Sequence, residues 1–327
     1  MPKVMLTAIT SGKGSSLMFA NLRHASPALT VTGVVMLGVL ALAAAGLAVD
    51  PRVVTGAPVW LKPAKFAASI AIYAFTLAWI FTYLGQWPRL RRTVGWITAV
   101  VMAIEMAIIA GQAYRGATSH FNAATPLDIT LFSIMGIAIV VQTLSTIAVA
   151  IALWRQHFQD TALGWALRLG MTLTIVGAFT GGLMTTPTRA QLAAARAGEP
   201  MTIAGAHTVG APDGGPGLVG TGWSTEHGDL RVPHFLGLHA LQALPIVALV
   251  LVRRKVNDRA RVRLVWVAAS SYGSLFVILL VQALRGQSVV APDLTTLILL
   301  ASWLLATGAA VAGALKVRQA RVGALAV

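Results

Sequence analysis

The chain has 327 residues, 57% of them hydrophobic and 11% charged. A soluble domain of ordinary composition carries about 25% charged residues, so a water-facing globule is excluded and apolar side chains facing lipid are implied. The net charge is +15 and there is no cysteine, which removes disulfides, thiolate metal sites and iron–sulfur clusters together.

A bilayer-crossing helix needs roughly 20 apolar residues. The N-terminal stretch before Pro27 is polar and rich in small residues. The apolar run that follows is too long for a signal-peptide core and reads as a retained helix. Runs of the required kind fall near 28–49, 66–85, 94–114, 127–154, 163–185, 234–252, 262–284 and 294–315. The fifth carries Arg168 inside its start. The expected fold is all-α, a polytopic membrane helix bundle of about eight spans forming one domain over 1–327.

Basic residues in short loops set orientation. Arg89, Arg91 and Arg92 follow the second span, and Arg253, Arg254, Lys255, Arg259, Arg261 and Arg263 follow the sixth. Lys3, Lys13 and Arg23 precede the first span; Lys316, Arg318 and Arg321 follow the last. Eight spans put all of these on one side, which the charge rule makes cytoplasmic. Both termini then face the cytoplasm of a bacterial inner membrane. Trp60, Trp87, Trp154, Trp223 and Tyr114 stand near span ends, as an interfacial aromatic belt requires. The positive charge is thus a topology signal. No basic face with interleaved aromatics is present, so nucleic acid is not an expected partner; the lipid bilayer is.

Unusual chemistry gathers in the outward half. The first outward loop ends in Trp60-Leu61-Lys62-Pro63-Ala64-Lys65-Phe66, whose lysines read as interfacial snorkelling groups or as an anion contact. In the third span Glu105 and Gln112 are seven apart and share a helix face, and Arg115 continues that stripe outward. An ionisable residue at the depth of Glu105 is a functional candidate by default. The loop 186–233 is too long for a simple connection. It carries His207, Asp213, Glu226, His227, Asp229 and Arg231 among turn-forming residues, and is expected to be an ordered extracytoplasmic lid. The sixth span opens Pro233-His234 and continues to His239 and Gln242. His234 and His239 lie about 140° apart around the helix and are not an i, i+4 ligand pair.

Imidazole is the commonest metal ligand and the usual proton carrier. Five of the seven histidines, His120, His207, His227, His234 and His239, fall in the outward half. The leading expectation is therefore an outward-facing site binding haem b or a transition metal (Zn, Cu or Fe), with oxidoreductase chemistry as the activity it implies. His239 is its expected principal ligand, and His234, His207 and His120 are its partners. Glu105, Arg115, Asp229, Arg231 and Gln242 are the expected polar groups around it, and a small molecule or ion on the extracytoplasmic side is the expected ligand. Two alternatives stand beside it. One is a transporter for a small solute or ion, lined by Glu105, Gln112, Gln142, Gln242 and Gln282. The other is a metal-independent hydrolase using Ser119 with His120, or Ser224 with His227.

Four segments, WLKPAKF at 60–66, RGATSHFN at 115–122, HTVGAPDGGPGL at 207–218 and GDLRVPHFLGLHALQALP at 228–245, resemble those of a family of bacterial multi-pass inner-membrane proteins with no known activity. The resemblance implies a multi-pass membrane fold and carries no function. Haem A synthases also have eight spans but place paired histidines in several helices; only His239 here is clearly embedded.

Overall fold

The computed structural model describes residues 12–316. The expected basic residues Lys3, Arg318 and Arg321 lie outside them. Among the described residues eight helices are long and apolar enough to cross a membrane. The protein is an all-α polytopic membrane protein. The helices form two compact units, residues 1–152 and 153–327.

The first unit contains α1 (Gly12–Ala25), α2 (Pro27–Val49), a two-residue-per-strand hairpin of β1 (Val53–Val54) and β2 (Ala57–Pro58), α3 (Leu61–Phe81), α4 (Pro88–Arg115) and most of α5 (Pro126–Arg155). Helix α1 was not expected: its run is too short and polar to register as a span. Ser26 breaks α1 from α2. Its hydroxyl accepts from the Leu29 N–H, and Pro27 occupies the first helical position, where a missing N–H does no harm. Small residues let α2 sit close on its neighbours. A Cβ on Gly33 would stand 2.6 Å from the Phe75 ring, and one on Gly46 2.6 Å from Trp60. Without a hydrophobic driving force in lipid, such close fit is what holds helices together. Met36, Ala67, Ile70, Ala71, Val101, Met102, Met106 and Ala138 form the core.

The second unit contains α6 (Thr161–Met184), α7 (Arg189–Arg196), a ladder of β3 (Thr208–Val209) and β4 (Gly228–Asp229), α8 (Arg231–Arg253), α9 (Asp258–Leu284) and α10 (Leu294–Lys316). Helices α6 and α8 meet backbone to backbone: a Cβ on Gly177 would lie 2.5 Å from the Gly237 Cα. Thr174 clips the crossing by donating to the Leu238 carbonyl and accepting from the Leu241 N–H. Arg168, the awkward charge of the fifth span, donates to the carbonyls of Leu153 and Gln156. It stacks on Phe158 and Trp165, and so closes the end of the preceding helix instead of facing lipid. Helix α10 buries little, and Leu297, Ile298, Leu304 and Leu305 stay exposed on it, as lipid-facing positions do.

Candidate functional site

In the first unit, polar groups line the inner faces of α3, α4 and α5. On α4 they recur every seven residues: Thr98, Glu105 and Gln112, all buried, on one helix face. Glu105 lies ten residues from Arg115, about 15 Å along the axis at 1.5 Å per residue, well inside the span. Its carboxyl is 2% exposed, and Oε1 has no hydrogen-bond partner. Lys62, on the first turn of α3, acts on it electrostatically. The Thr98 hydroxyl is likewise buried and unpartnered. The contrast with neighbouring threonines is sharp, because Thr30, Thr32, Thr130, Thr143 and Thr146 all donate to the carbonyl four residues back. On α5 the Gln142 amide donates to Tyr73 Oη at 3.0 Å and to Thr146 at 3.4 Å, while its Oε1 is buried without a partner. Three buried oxygens on two adjoining spans thus lack donors.

The Arg115 end of this stripe is closed by a complete network. Gln112 donates to Asp128 Oδ1 at 2.8 Å and to the Thr118 carbonyl at 3.2 Å. Arg115 donates to Gln112 Oε1 and pairs with Asp128 at 2.9 Å. Thr125 donates to Asp128 Oδ2 at 2.6 Å. Arg115, expected among the polar groups of the site, is held by Asp128, which no spacing pattern in the chain singles out. The His120 ring is bonded to Ser119 Oγ at 3.1 Å and stands among Phe66, Phe121 and Phe132, with ring centroids 5.7–6.3 Å away. Ser119 and His120 are therefore a hydrogen-bonded pair, buried on the serine side. Nearby, Asp50 takes a bidentate contact from Arg52 and a bond from the Trp60 indole N–H. Those two partners hold its carboxyl well below the usual carboxylate range.

In the second unit, imidazole and carboxylate groups are braced within the long loop. His207 Nδ1 donates to Asp213 Oδ2 at 2.6 Å, and the backbone N–H groups of His207 and Thr208 reach the same carboxylate. Burial would push the Asp213 carboxyl up; the His207 hydrogen bond and charge, with those backbone donors, outweigh it and hold it well below the usual range. His234 Nδ1 donates to the Gly177 carbonyl at 2.9 Å, beside Thr180 Oγ1 at 3.1 Å. Asp229, 2% exposed, accepts from the Ser224 N–H, the Arg231 N–H and the Arg231 guanidinium. Arg231 also donates to the Gly222 carbonyl. Asp229 and Arg231 thus form an internal staple of the loop. Ser224 Oγ accepts from the His227 and Glu226 N–H groups, a turn-bracing role and not a pairing of side chains. Gly228 presses on α9 so closely that a Cβ would fall 2.0 Å from the Ala283 carbonyl. His239 and Gln242 are half-buried on α8, and His239 makes no hydrogen bond to the described residues.

Among the described residues no three or more His, Asp or Glu side chains stand together in a way that could hold a metal ion. The two braced imidazoles of this unit are His207 and His234; the sequence reading had put His239 first. Thr98 was discoverable from the seven-residue spacing alone, whereas Asp128 and Tyr73 are visible only once helix rotations are known. Comparison with protein-family models, with curated proteins and with solved structures finds no match to this chain.

Proposed function

We propose that the protein moves a proton or small cation, alone or with a small solute, across the membrane through the polar interior of its first unit, with Glu105 as the exchanging group. The observation that carries this is the Glu105 carboxyl: deep in a span, 2% exposed, with Oε1 unpartnered. A buried carboxylate with an unmet oxygen is costly unless it takes up a proton or a cation. The unpartnered oxygens of Thr98 and Gln142 extend the set of acceptors that a passing cation or hydrogen-bond donor would use. Lys62 supplies a charge that acts on Glu105 from α3. The Gln112–Arg115–Asp128 network is a gate for such a route, since its bonds would have to part for a solute to enter.

The test is flux in proteoliposomes loaded with a pH-sensitive dye, driven by an imposed potential and repeated across sodium and potassium gradients. Wild-type protein should conduct, Glu105→Asp should conduct less, and Glu105→Gln should not conduct. Equal flux in wild type and Glu105→Gln would remove Glu105 from the function.

A second reading rests on the second unit. Imidazoles that ligate metals or haem donate their other ring nitrogen to a carboxylate or backbone carbonyl, and His207 and His234 are both held in this way. In this reading His234 supplies a single axial ligand to a haem from the extracytoplasmic side, since no three such side chains stand together among the described residues for a protein-held metal ion, and the protein is an oxidoreductase. Elemental analysis and an absorption spectrum of purified protein test it: stoichiometric metal or a haem band lost in His234→Ala supports it, and metal-free, folded protein ends it.

A further inference from the structure

A second cationic feature lies at the other end of the first unit, away from the Glu105 stripe. A cavity of about 390 Å³ opens where the end of α1, the start of α2 and the start of α4 meet. This is within the about 300–1,000 Å³ typical of ligand pockets. Its walls include His24, Ser26, Arg91, Arg92 and Trp96, and no acidic side chain lines it. Arg91 Nη1 reaches the Phe81 carbonyl at 3.4 Å, but its Nε is buried with no partner among the described residues. That N–H is sealed from solvent; what the cavity offers an anion is the two guanidiniums and the imidazole in its wall, with no carboxylate to compete. The first turn of α4 adds to the same field. Trp87 gives it no side-chain cap and Pro88 stands at its start, so the positive dipole end of the helix lies in the turn that carries the arginines.

The surroundings identify the source of the anion. Leu17 (57% exposed), Met18 and Phe19 leave apolar surface on α1, a 14-residue helix too short to span. Such a helix lies in the bilayer interface. Trp96, 58% exposed, belongs at headgroup level. Val100 is one turn further on the same exposed face of α4 and leads toward the hydrocarbon. A basic pocket at that depth, between helices and on the side the charge rule makes cytoplasmic, fits a phosphate carried on acyl chains.

We infer that this cavity is a binding site for the phosphate headgroup of an anionic membrane phospholipid. Arg91 and Arg92 take the phosphate oxygens, His24 and the first turn of α4 complete the cradle, and the acyl chains run along Trp96 and Val100. The inference is independent of the reading of Glu105.

Native mass spectrometry of the full chain, released from nanodiscs of equal phosphatidylglycerol and phosphatidylcholine, tests it. Phosphatidylglycerol should be retained selectively. Retention should fall about fivefold for each of Arg91→Gln and Arg92→Gln. It should fall by less in Arg89→Gln, which removes a charge from the same turn but does not line the cavity. Arg92 is exposed, so its variant carries the test even if Arg91→Gln fails to fold. Equal retention of the two lipids, or retention unaffected in Arg92→Gln, overturns the inference. A parallel melting series with inorganic phosphate separates the sources: stabilisation by phosphate as large as by phosphatidylglycerol, lost in Arg92→Gln, would assign the cavity to a free phosphate and overturn the lipid assignment.

Discussion

Glu105 and Asp229 are buried to the same degree, each 2% exposed, yet their environments are opposite. Asp229 is met by two backbone N–H groups and a guanidinium. Glu105 has an oxygen that nothing meets. Burial alone therefore does not mark a functional carboxylate. A fully partnered one fixes the chain around it; an unpartnered one keeps its capacity for a proton, a cation or a solute donor. The same contrast separates the long loop of the second unit from the helices of the first. The long loop of the second satisfies its polar groups internally, whereas α4 and α5 of the first leave three acceptors open.

The largest expected effect comes from breaking the satisfied side. Asp229→Ala strands the Arg231 guanidinium and the Ser224 N–H, and should destabilise the second unit by about 3–5 kcal/mol, read as a fall in melting temperature in detergent and as faster proteolysis of the loop. Glu105→Gln should leave stability unchanged or raise it by up to about 1 kcal/mol while function is lost, because it removes an unmet charge and keeps the shape. A Glu105→Gln variant that melts as badly as Asp229→Ala would collapse the comparison.

Gly177→Val tests fit in place of polarity. The new side chain would meet the Gly237 backbone inside van der Waals contact, and a loss of about 1–3 kcal/mol or more is expected from overpacking, checked by the same melting assay.

The Asp213–His207 pair gives a pH signature. A carboxyl held below its ordinary value of 3.8 contributes stability that is present above that value and is lost as pH falls through the depressed one. Hydrogen exchange at His207 and Thr208 should stay slow at pH 5 and rise only in strong acid, whereas Asp213→Asn should show fast exchange already at neutral pH. Slow exchange in that variant would make the pair incidental. The smallest effect is expected at Asp50, whose partner Arg52 is half open to water. Asp50→Asn should shift the melting temperature least of the set, and the shift should shrink in high salt.

Much of the fold was legible in the chain. Apolar runs separated by arginine-rich loops located all eight spans to within a few residues, because length and hydropathy alone decide what crosses lipid. The second span begins earlier than expected, at Leu61, since Lys62 and Lys65 lie on a helix whose start reaches the interface. The third begins at Pro88, since Arg89, Arg91 and Arg92 are already helical. Helix α1 was missed because its polarity hid it, and with it the cavity at His24. The polar stripe was half legible: Glu105 and Gln112 were paired by spacing, but spacing cannot say that Gln112 finds Asp128 while Glu105 Oε1 has no hydrogen-bond partner. Ser119 and His120 likewise needed the turn that brings their side chains together. Which imidazoles are braced depends on acceptors that helix crossing supplies, such as the Gly177 carbonyl for His234, and no one-dimensional pattern encodes that.

The central claim is that the Glu105 carboxyl exchanges its proton or cation in the working protein. Infrared difference spectroscopy of the protein in liposomes reads this directly, with the carboxyl band assigned by its loss in Glu105→Gln. The account predicts a Glu105 band that shifts promptly in D₂O and changes when a pH step or cation gradient is imposed. A Glu105 band that neither exchanges nor responds would contradict it, leaving a permanently protonated structural side chain.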